Sequence, residues 1–371
     1  MYDIVIVGAG PSGSALASLL DKKFKVLILD KRSVLHNGIT DELKAAQEDD
    51  LLCGKCCGGM LSPNAQKALA MTRWIVPRDI LVTPQVYALK ILDIKTKMRR
   101  LYQRNYININ RKKFDKWLLD KAMKKATIIQ NAAYKGAEKT EDGYRISYLK
   151  NGEIHTEETR MIVGADGAQS RVRKEFFKNV KTPKQYAAIQ EWYKTEVPEP
   201  FYYGIADKDV TDFYSWIIPK ENYLILGSAM DDMKNANKKF EILKNKLEKE
   251  GFSFKKEDLV KKEGSIIFRP KSMREIALVK DDVALIGEAS GIISPSSSEG
   301  IGYALRSAII LAEELNKDKN NALRKYKKKA KKLAFSCVAK SFRSPFLYGL
   351  GGIFRRVAMK SKLMTIKETN I

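Results

Sequence analysis

Apolar positions along the chain follow two rhythms. Uninterrupted runs at 2–7 ("YDIVIV"), 25–30 ("KVLILD"), 160–164 ("RMIVG") and 281–287 ("DDVALIG") are rich in β-branched residues, and predict strands buried on both faces of a parallel sheet. "SALASLLDKKF" (14–24) spaces Leu and Ala at helical intervals, so the first thirty residues read as strand, glycine-rich turn, helix and strand, a βαβ unit. Between 133 and 160 the residues alternate around Asp142-Gly143 and Asn151-Gly152, which predicts a small antiparallel meander. From 181 to 275 aromatic-rich alternation ("QYAAIQEWYKTEV", "FYSWIIP", "NYLILGSAM") predicts a second, mostly antiparallel sheet. The lysine-rich stretch 238–264 that follows reads as a solvated helical face.

The buried strands are far apart in sequence and end in Gly plus an acid. The nucleotide domain is therefore expected to be discontinuous, comprising 1–80, 104–180 and 276–320. Residues 81–103 and 181–275 are expected to form a substrate-binding sheet domain, and 321–371 a basic C-terminal helical region. A chain of 371 residues is long enough for two joined domains. The fold class is α/β, with an inserted antiparallel domain. The start has no basic leader and no apolar run reaches about 18 residues, so a cytoplasmic, non-spanning protein is expected.

Charge adds a question about partners. The 68 Lys and Arg against 44 Asp and Glu leave a formal charge of +24. Nucleic acid is not an expected partner, because the lysines are spread and interleaved with glutamate, with no RNA-binding aromatic signature and no zinc-finger spacing. The tail from Arg324 onward is different, because it mixes dense positive charge with Phe, Leu, Tyr and Ile. It suits either a helix on an anionic membrane surface, peripheral to the inner face of the membrane, or a cap packed on the body with its lysines in water.

Gly8-Ala9-Gly10-Pro11-Ser12-Gly13 lies directly after a strand and opens a helix. There Gly8 permits the tight turn, Gly10 admits a pyrophosphate, Gly13 allows close helix packing, and the helix N-terminus favours anions. Asp30, at the end of the second strand, is placed to accept from adenosine ribose hydroxyls, and Lys31 and Arg32 follow it. An NAD dehydrogenase would continue with alternating strands and helices. This chain breaks into a meander and an aromatic sheet, which favours FAD.

These motifs, together with "NRKKFDKWL" (110–118), "GADGAQSRVRK" (164–174) and "GEASGIISPSSSEGIGYAL" (287–305), resemble the geranylgeranyl reductase branch of the para-hydroxybenzoate-hydroxylase-like flavoproteins over nearly the whole chain. "YININR", "AIQEWY" and "VTDFYSW" further resemble the CbrA-type bacterial FAD oxidoreductases. The resemblance implies a Rossmann-like FAD-binding domain in which Arg111 contacts FAD near its phosphates or ribityl chain. Asp166-Gly167 would be shared between FAD and an approaching nicotinamide. Gly287-Glu288 stands where the family usually has Gly-Asp, and Glu288 is expected to hydrogen-bond the ribityl hydroxyls. The helix opening near Gly300 and Ile301 would point toward the flavin pyrimidine edge. "YSWIIP" is similar to the family's Y-x-W-x-F-P element, with Ile218 in place of Phe.

Cys53, Cys56 and Cys57 crowd into "LLCGKCCGGM", but no second C-x-x-C and no spaced histidine accompanies them, so no metal site is expected. The resemblance sets Cys57-Gly58-Gly59, with Met60, alongside the flavin ring. The thiols are then either space-filling or catalytic, with Cys57 and Tyr214 the catalytic candidates. A pairing of Cys56 or Cys53 with Cys337 is the remaining covalent option. The implied reaction passes a hydride from FAD, reduced by NAD(P)H, to a C=C bond of an apolar, prenyl or lipid-like substrate held by Trp192, Tyr203, Tyr214 and Trp216. The alternatives are a flavin monooxygenase of an aromatic substrate and a non-catalytic flavin-loaded membrane-surface protein.

Overall fold

The computed structural model describes residues 1–32, 56–196 and 198–342. In chain order the first half runs β1 (Tyr2–Val7), α1 (Pro11–Leu19), β2 (Val26–Leu29), β3 (Met60–Leu61), α2 (Pro63–Met71), β4 (Val86–Asp93), β5 (Met98–Asn108), α3 (Arg111–Met123), β6 (Thr127–Ile129), β7 (Ala133–Thr140), β8 (Gly143–Lys150), β9 (Glu153–Gly164) and α4 (Arg171–Phe176). The second half runs β10 (Lys184–Lys194), β11 (Phe201–Ala206), β12 (Ser215–Lys220), β13 (Tyr223–Met230), α5 (Ala236–Glu248), β14 (Leu259–Arg269), β15 (Val279–Lys280), β16 (Val283–Leu285), α6 (Ile301–Lys317) and α7 (Ala322–Val338).

The first sheet has the order β15-β16-β9-β1-β2-β6, with β7 and β8 joined through β9. β1 is parallel to both β2 and β9, as β16 is to β9. Its runs are continuous because both faces are covered. Ile4, Ile6, Val26, Ile28 and Val163 face a core shared with α1, α3, α6 and α7, whereas Val5, Val7, Leu27, Leu29 and Ile162 face Tyr134, Tyr144 and Ile146 of the meander. Each such side chain contributes about 1.5–3 kcal/mol. The hairpin turn at Asn151-Gly152 has positive φ at both residues, as a tight two-residue loop requires.

The second sheet has the order β14-β10-β13-β12-β11-β4-β5-β3. All its pairs are antiparallel except β11 with β4. One face packs Ile205, Ile217, Leu226 and Met230 onto Phe240, Leu243 and Leu247 of α5; the other carries Tyr186, Trp192, Phe213, Tyr214, Trp216 and Ile218. Gly227 makes that aromatic face possible, because a Cβ there would lie 2.2 Å from Cε2 of Trp216. β3 pairs with the end of β5, so the second sheet reaches residues 60–61 and 104–108, stretches that composition groups with the nucleotide domain.

The lysine-rich stretch is not one helix. α5 ends at Glu248, Gly251 turns the chain with φ +94°, and Leu259–Arg269 becomes the edge strand β14. Lysines at 261 and 262 suit an exposed edge as well as they suit a helix, which is why composition alone misreads them. α7 packs Tyr326, Ala330, Leu333, Ala334 and Cys337 onto the body, while Lys327, Lys328, Lys331, Lys332 and Phe335 are exposed. Residues 343–371 of the tail lie outside the described residues. No helix among the described residues is long and apolar enough to cross a membrane.

Tyr326 is fully buried, and its hydroxyl donates to the Leu285 carbonyl at 2.8 Å, tying α7 to β16. Tyr326→Phe is expected to cost about 1–3 kcal/mol by stranding that carbonyl, and Tyr326→Ala about 3–5 kcal/mol. Urea unfolding with matched slopes checks both values.

Candidate functional site

The first turn sorts its glycines by what lies opposite. A Cβ on Gly8 (φ +108°) would meet the Ala165 carbonyl at 2.6 Å, and one on Gly13 would lie 1.9 Å from the Gly8 carbonyl. At Gly10 a Cβ would meet nothing within 4 Å. Gly8 and Gly13 therefore serve the packing of β1, α1 and β9, while Gly10 borders open space. α1 starts with Pro11 and has no side-chain cap, so the N–H groups of its first turn, Ser12 among them, are left for a ligand.

Asp30 is buried at the end of β2. Its Oδ2 accepts from the Ala9 N–H (2.6 Å) and the Arg32 guanidinium (3.1 Å), and its Oδ1 accepts from the backbone N–H and Nε of Arg32 (2.8 and 3.2 Å). A carboxylate has about four acceptor positions, so a ribose hydroxyl reaching Asp30 must displace Arg32. Lys31 is exposed.

The next groups lie at the start of α3. Asn110 caps that helix by accepting from the Lys113 N–H. The Arg111 Nε donates to Asp115 Oδ1 at 2.7 Å, one turn on. Burial works against the Arg111 charge, but Asp115 and the Cys57 sulfur outweigh it and hold the guanidinium above its ordinary range. Burial works against the Arg32 charge, but its bonds to Asp30, with a smaller contribution from the Asp115 charge, hold that guanidinium above its ordinary range. Cys57 Sγ accepts from the Gly59 N–H at 3.4 Å. Gly59 has φ +61°, and a Cβ on it would lie 2.6 Å from both the Ile109 carbonyl and Lys220 Nζ. Burial pushes the Lys220 ammonium down to about 7, against the pull of Cys57 and Glu221. Cys56 turns the other way, toward Glu263 and Ser265; burial, followed by the Glu263 charge, pushes its thiol up to about 12.

At the ends of β9 and β16 the remaining motifs converge. Asp166 Oδ2 accepts from the Arg171 N–H (2.7 Å), while its Oδ1 is buried without a partner, and burial raises its pKa. Gly167, at φ +76°, borders open space. Gly287 sits against the first turn, since a Cβ there would lie 2.8 Å from Ser12 Oγ. Glu288 Oε1 accepts from the Phe268 N–H at 3.0 Å, so this carboxylate is engaged by the second sheet. Gly300 opens α6 without a side-chain cap, and Ile301 is its first residue.

Above these groups lies the aromatic face of the second sheet. Trp192, Tyr214, Trp216 and Ile218 share it with Met60 and Tyr202, and a Cβ on Gly58 would strike Ile218 Cδ1 at 2.4 Å. The Tyr214 hydroxyl donates to the Ser297 carbonyl (2.7 Å), so its proton is already committed. Tyr203 is not brought to this face; it lies on the opposite one, against Phe252 and Glu199. Its neighbour Tyr202 takes the inward position and meets Tyr106 edge to face, and Tyr106 donates to Glu299 (3.0 Å). Strand alternation signals that one of the pair faces inward, but not which. The polar ladder Trp216–Gln190–Glu263–Trp192 is a further feature that the sequence did not single out.

Cys56, Cys57 and Cys337 are free. The Cys56–Cys337 pairing is overturned by geometry, because Cys337 is buried in α7 with Sγ donating to the Ile293 carbonyl (3.1 Å). Cys53 lies outside the described residues. Among those described, no group of three or more His, Cys, Asp or Glu could hold a metal ion.

The donor set fits an extended dinucleotide. It offers an uncapped helix start beside open space, a buried cation midway, an unpartnered carboxylate oxygen and a second uncapped helix start. Comparison with known proteins agrees. The FAD binding domain family matches residues 1–341. Protein CbrA of Escherichia coli O9:H4 (strain HS) is 36% identical over 343 residues, covering 92% of this chain and 89% of that one. The fold is similar to that of a geranylgeranyl bacteriochlorophyll reductase-like protein from Thermoplasma acidophilum (TM-score 0.75, 18% identity, 94% of this chain and 88% of that one). It is also similar to p-nitrophenol 4-monooxygenase PnpA from Pseudomonas putida DLL-E4 (TM-score 0.73, 12% identity, 97% and 92%).

Gly10→Val, whose side chain enters open space, is expected to keep the native melting temperature within a few degrees while weakening FAD binding on the order of 100-fold. Fluorescence titration of the apoprotein, with calorimetry beside it, checks this.

Proposed function

The chain belongs to the FAD binding domain family, and from that premise we propose that it is an FAD-dependent reductase of an apolar, prenyl or lipid-like alkene. The observation that carries this reading is the apolar, largely aromatic face of Trp192, Tyr202, Trp216 and Ile218, which packs against Gly58 and Met60, the segment that the resemblance sets alongside the flavin ring. FAD bound here would supply hydride-transfer chemistry, with NAD(P)H as the two-electron donor, so that one alkene carbon would gain the hydride and the other a proton drawn ultimately from solvent.

The chain's own residues have four tasks. The first turn of α1 binds the phosphates by N–H donation, and Arg111 neutralises negative charge between the phosphates and the ring. The aromatic face excludes water and holds the alkene flat. Cys56 keeps its proton at physiological pH, since burial and then Glu263 push its thiol up to about 12, and so presents an S–H donor on this face. Tyr214 positions the loop before α6 rather than donating a proton.

A second reading, an NAD(P)H-dependent monooxygenase of an aromatic substrate, is favoured by the aromatic lining itself. The experiment that separates them is turnover without oxygen. The reductase is expected to saturate a prenyl alkene anaerobically, with one NAD(P)H consumed per bond. Strict dependence on oxygen, with oxygen uptake on adding an aromatic substrate, would favour the monooxygenase and sink the reductase.

The exposed cations of α7 give this enzyme a partner of matching chemistry, an anionic lipid surface that also holds apolar substrates. With its apolar stripe used on the body, α7 approaches lipid through charge and Phe335. The quadruple change Lys327→Glu, Lys328→Glu, Lys331→Glu and Lys332→Glu is expected to reduce sedimentation with phosphatidylglycerol vesicles at least tenfold. Equal binding by both proteins would leave the enzyme without this contact, as the non-membrane version of the reading requires.

A further inference from the structure

Lys220, at the end of β12, is the only lysine among the described residues that is buried, with 2% of its surface exposed. Its Nζ donates to Asn108 Oδ1 (2.6 Å), the Ile109 carbonyl (2.7 Å) and the Gly59 carbonyl (3.2 Å). All three acceptors are neutral. Asn108 is oriented for this task, because its Nδ2 donates to the carbonyls of Pro84 (3.0 Å) and Pro219 (2.8 Å), which leaves its oxygen facing Lys220. Two strands and a turn therefore meet at one ammonium: β12 supplies it, β5 supplies Asn108, and the turn into β3 supplies Gly59.

A buried ammonium without a carboxylate in its hydrogen-bond shell is costly. Three oxygens that only accept favour the protonated amine, but burial, which brings its pKa down to about 7, leaves that charge weakly held near neutral pH. Negative charge brought beside the Cys57–Gly59 segment would complete the balance, and the groove that this segment borders is the one read above as the FAD site. We propose that Lys220 is a positioning residue of that site: it locks the Cys57-Gly58-Gly59 backbone against β5, and its positive charge favours the reduced, anionic form of bound FAD over the oxidised form. This rests on the placement of FAD along that segment. Arg111, by contrast, has a carboxylate partner in Asp115 at 2.7 Å.

A strut that merely joins these segments of the second sheet would need only the hydrogen bonds. Lys220→Gln keeps amide hydrogens for Asn108 and Ile109 but removes the charge, and Lys220→Met removes both. The measurements are the midpoint potential of bound FAD, by dye-coupled equilibration, and the melting temperature of the apoprotein. Lys220→Gln is expected to melt near the wild type while binding reduced relative to oxidised FAD about tenfold less well, a drop of about 30 mV for the two-electron couple. Lys220→Met is expected to show the same drop with a lower melting temperature. A Lys220→Gln protein with an unchanged potential, or one that no longer folds, would overturn the charge role. If the wild-type protein takes up no FAD, the site reading itself fails, an outcome that apoprotein titration separates from the other two.

Discussion

In the turn between β1 and α1, the Gly8 backbone lies directly against the Ala165 carbonyl, and Gly13 against Gly8 itself. No side chain fits at either contact, and much of the remaining architecture depends on them. They set α1 onto the first sheet and bring the end of β9 alongside the end of β1. They also line up the later strand ends so that Gly287 falls beside Ser12 and Asp166 beside the same opening. A parallel sheet gathers its strand ends on one edge, and the glycines decide how near a ligand can come to that edge.

The second sheet is attached to this edge through hydrogen bonds to residues 288–299. Glu288 accepts from the Phe268 N–H of β14, and Tyr106 and Tyr214 bind the loop before α6, while Lys220 ties β12, β5 and the turn before β3 to one another within the second sheet. The aromatic face of the second sheet thereby packs against Gly58 and Met60, next to the turn that Lys220 holds. The two chemical requirements of the proposed reaction, an anion-receiving groove and a dry apolar surface, therefore come from different sheets and meet at Cys56–Met60.

Much of the fold was legible in the sequence because its signals are local. The buried runs, the Gly-rich turn before a helix, and the Asn-Gly hairpin each carry their own physics within a few residues. What could not be read depends on distant partners. Whether Tyr202 or Tyr203 faces inward is a question of strand parity, decided only when β11 pairs with β4 and β12. The lysines of 238–264 look alike in a helix and on an edge strand, and Gly251, which separates the two, carries little weight in a charge pattern. Asp30 was placed correctly on its strand, but its occupation by Arg32 is a matter of geometry. Lys220 gives no sign at all, since lysine is ordinarily exposed and nothing beside it in sequence announces the three oxygens that surround it.

Hydrogen bonds from Tyr214 to Ser297 and from Tyr106 to Glu299 have a mechanical consequence. They act as two short tethers between a β-sheet wall and the segment leading into α6, so anything wedged against that wall strains the segment as well. The placement of the aromatic sheet and that of the residues ahead of α6 are in this way tied to each other.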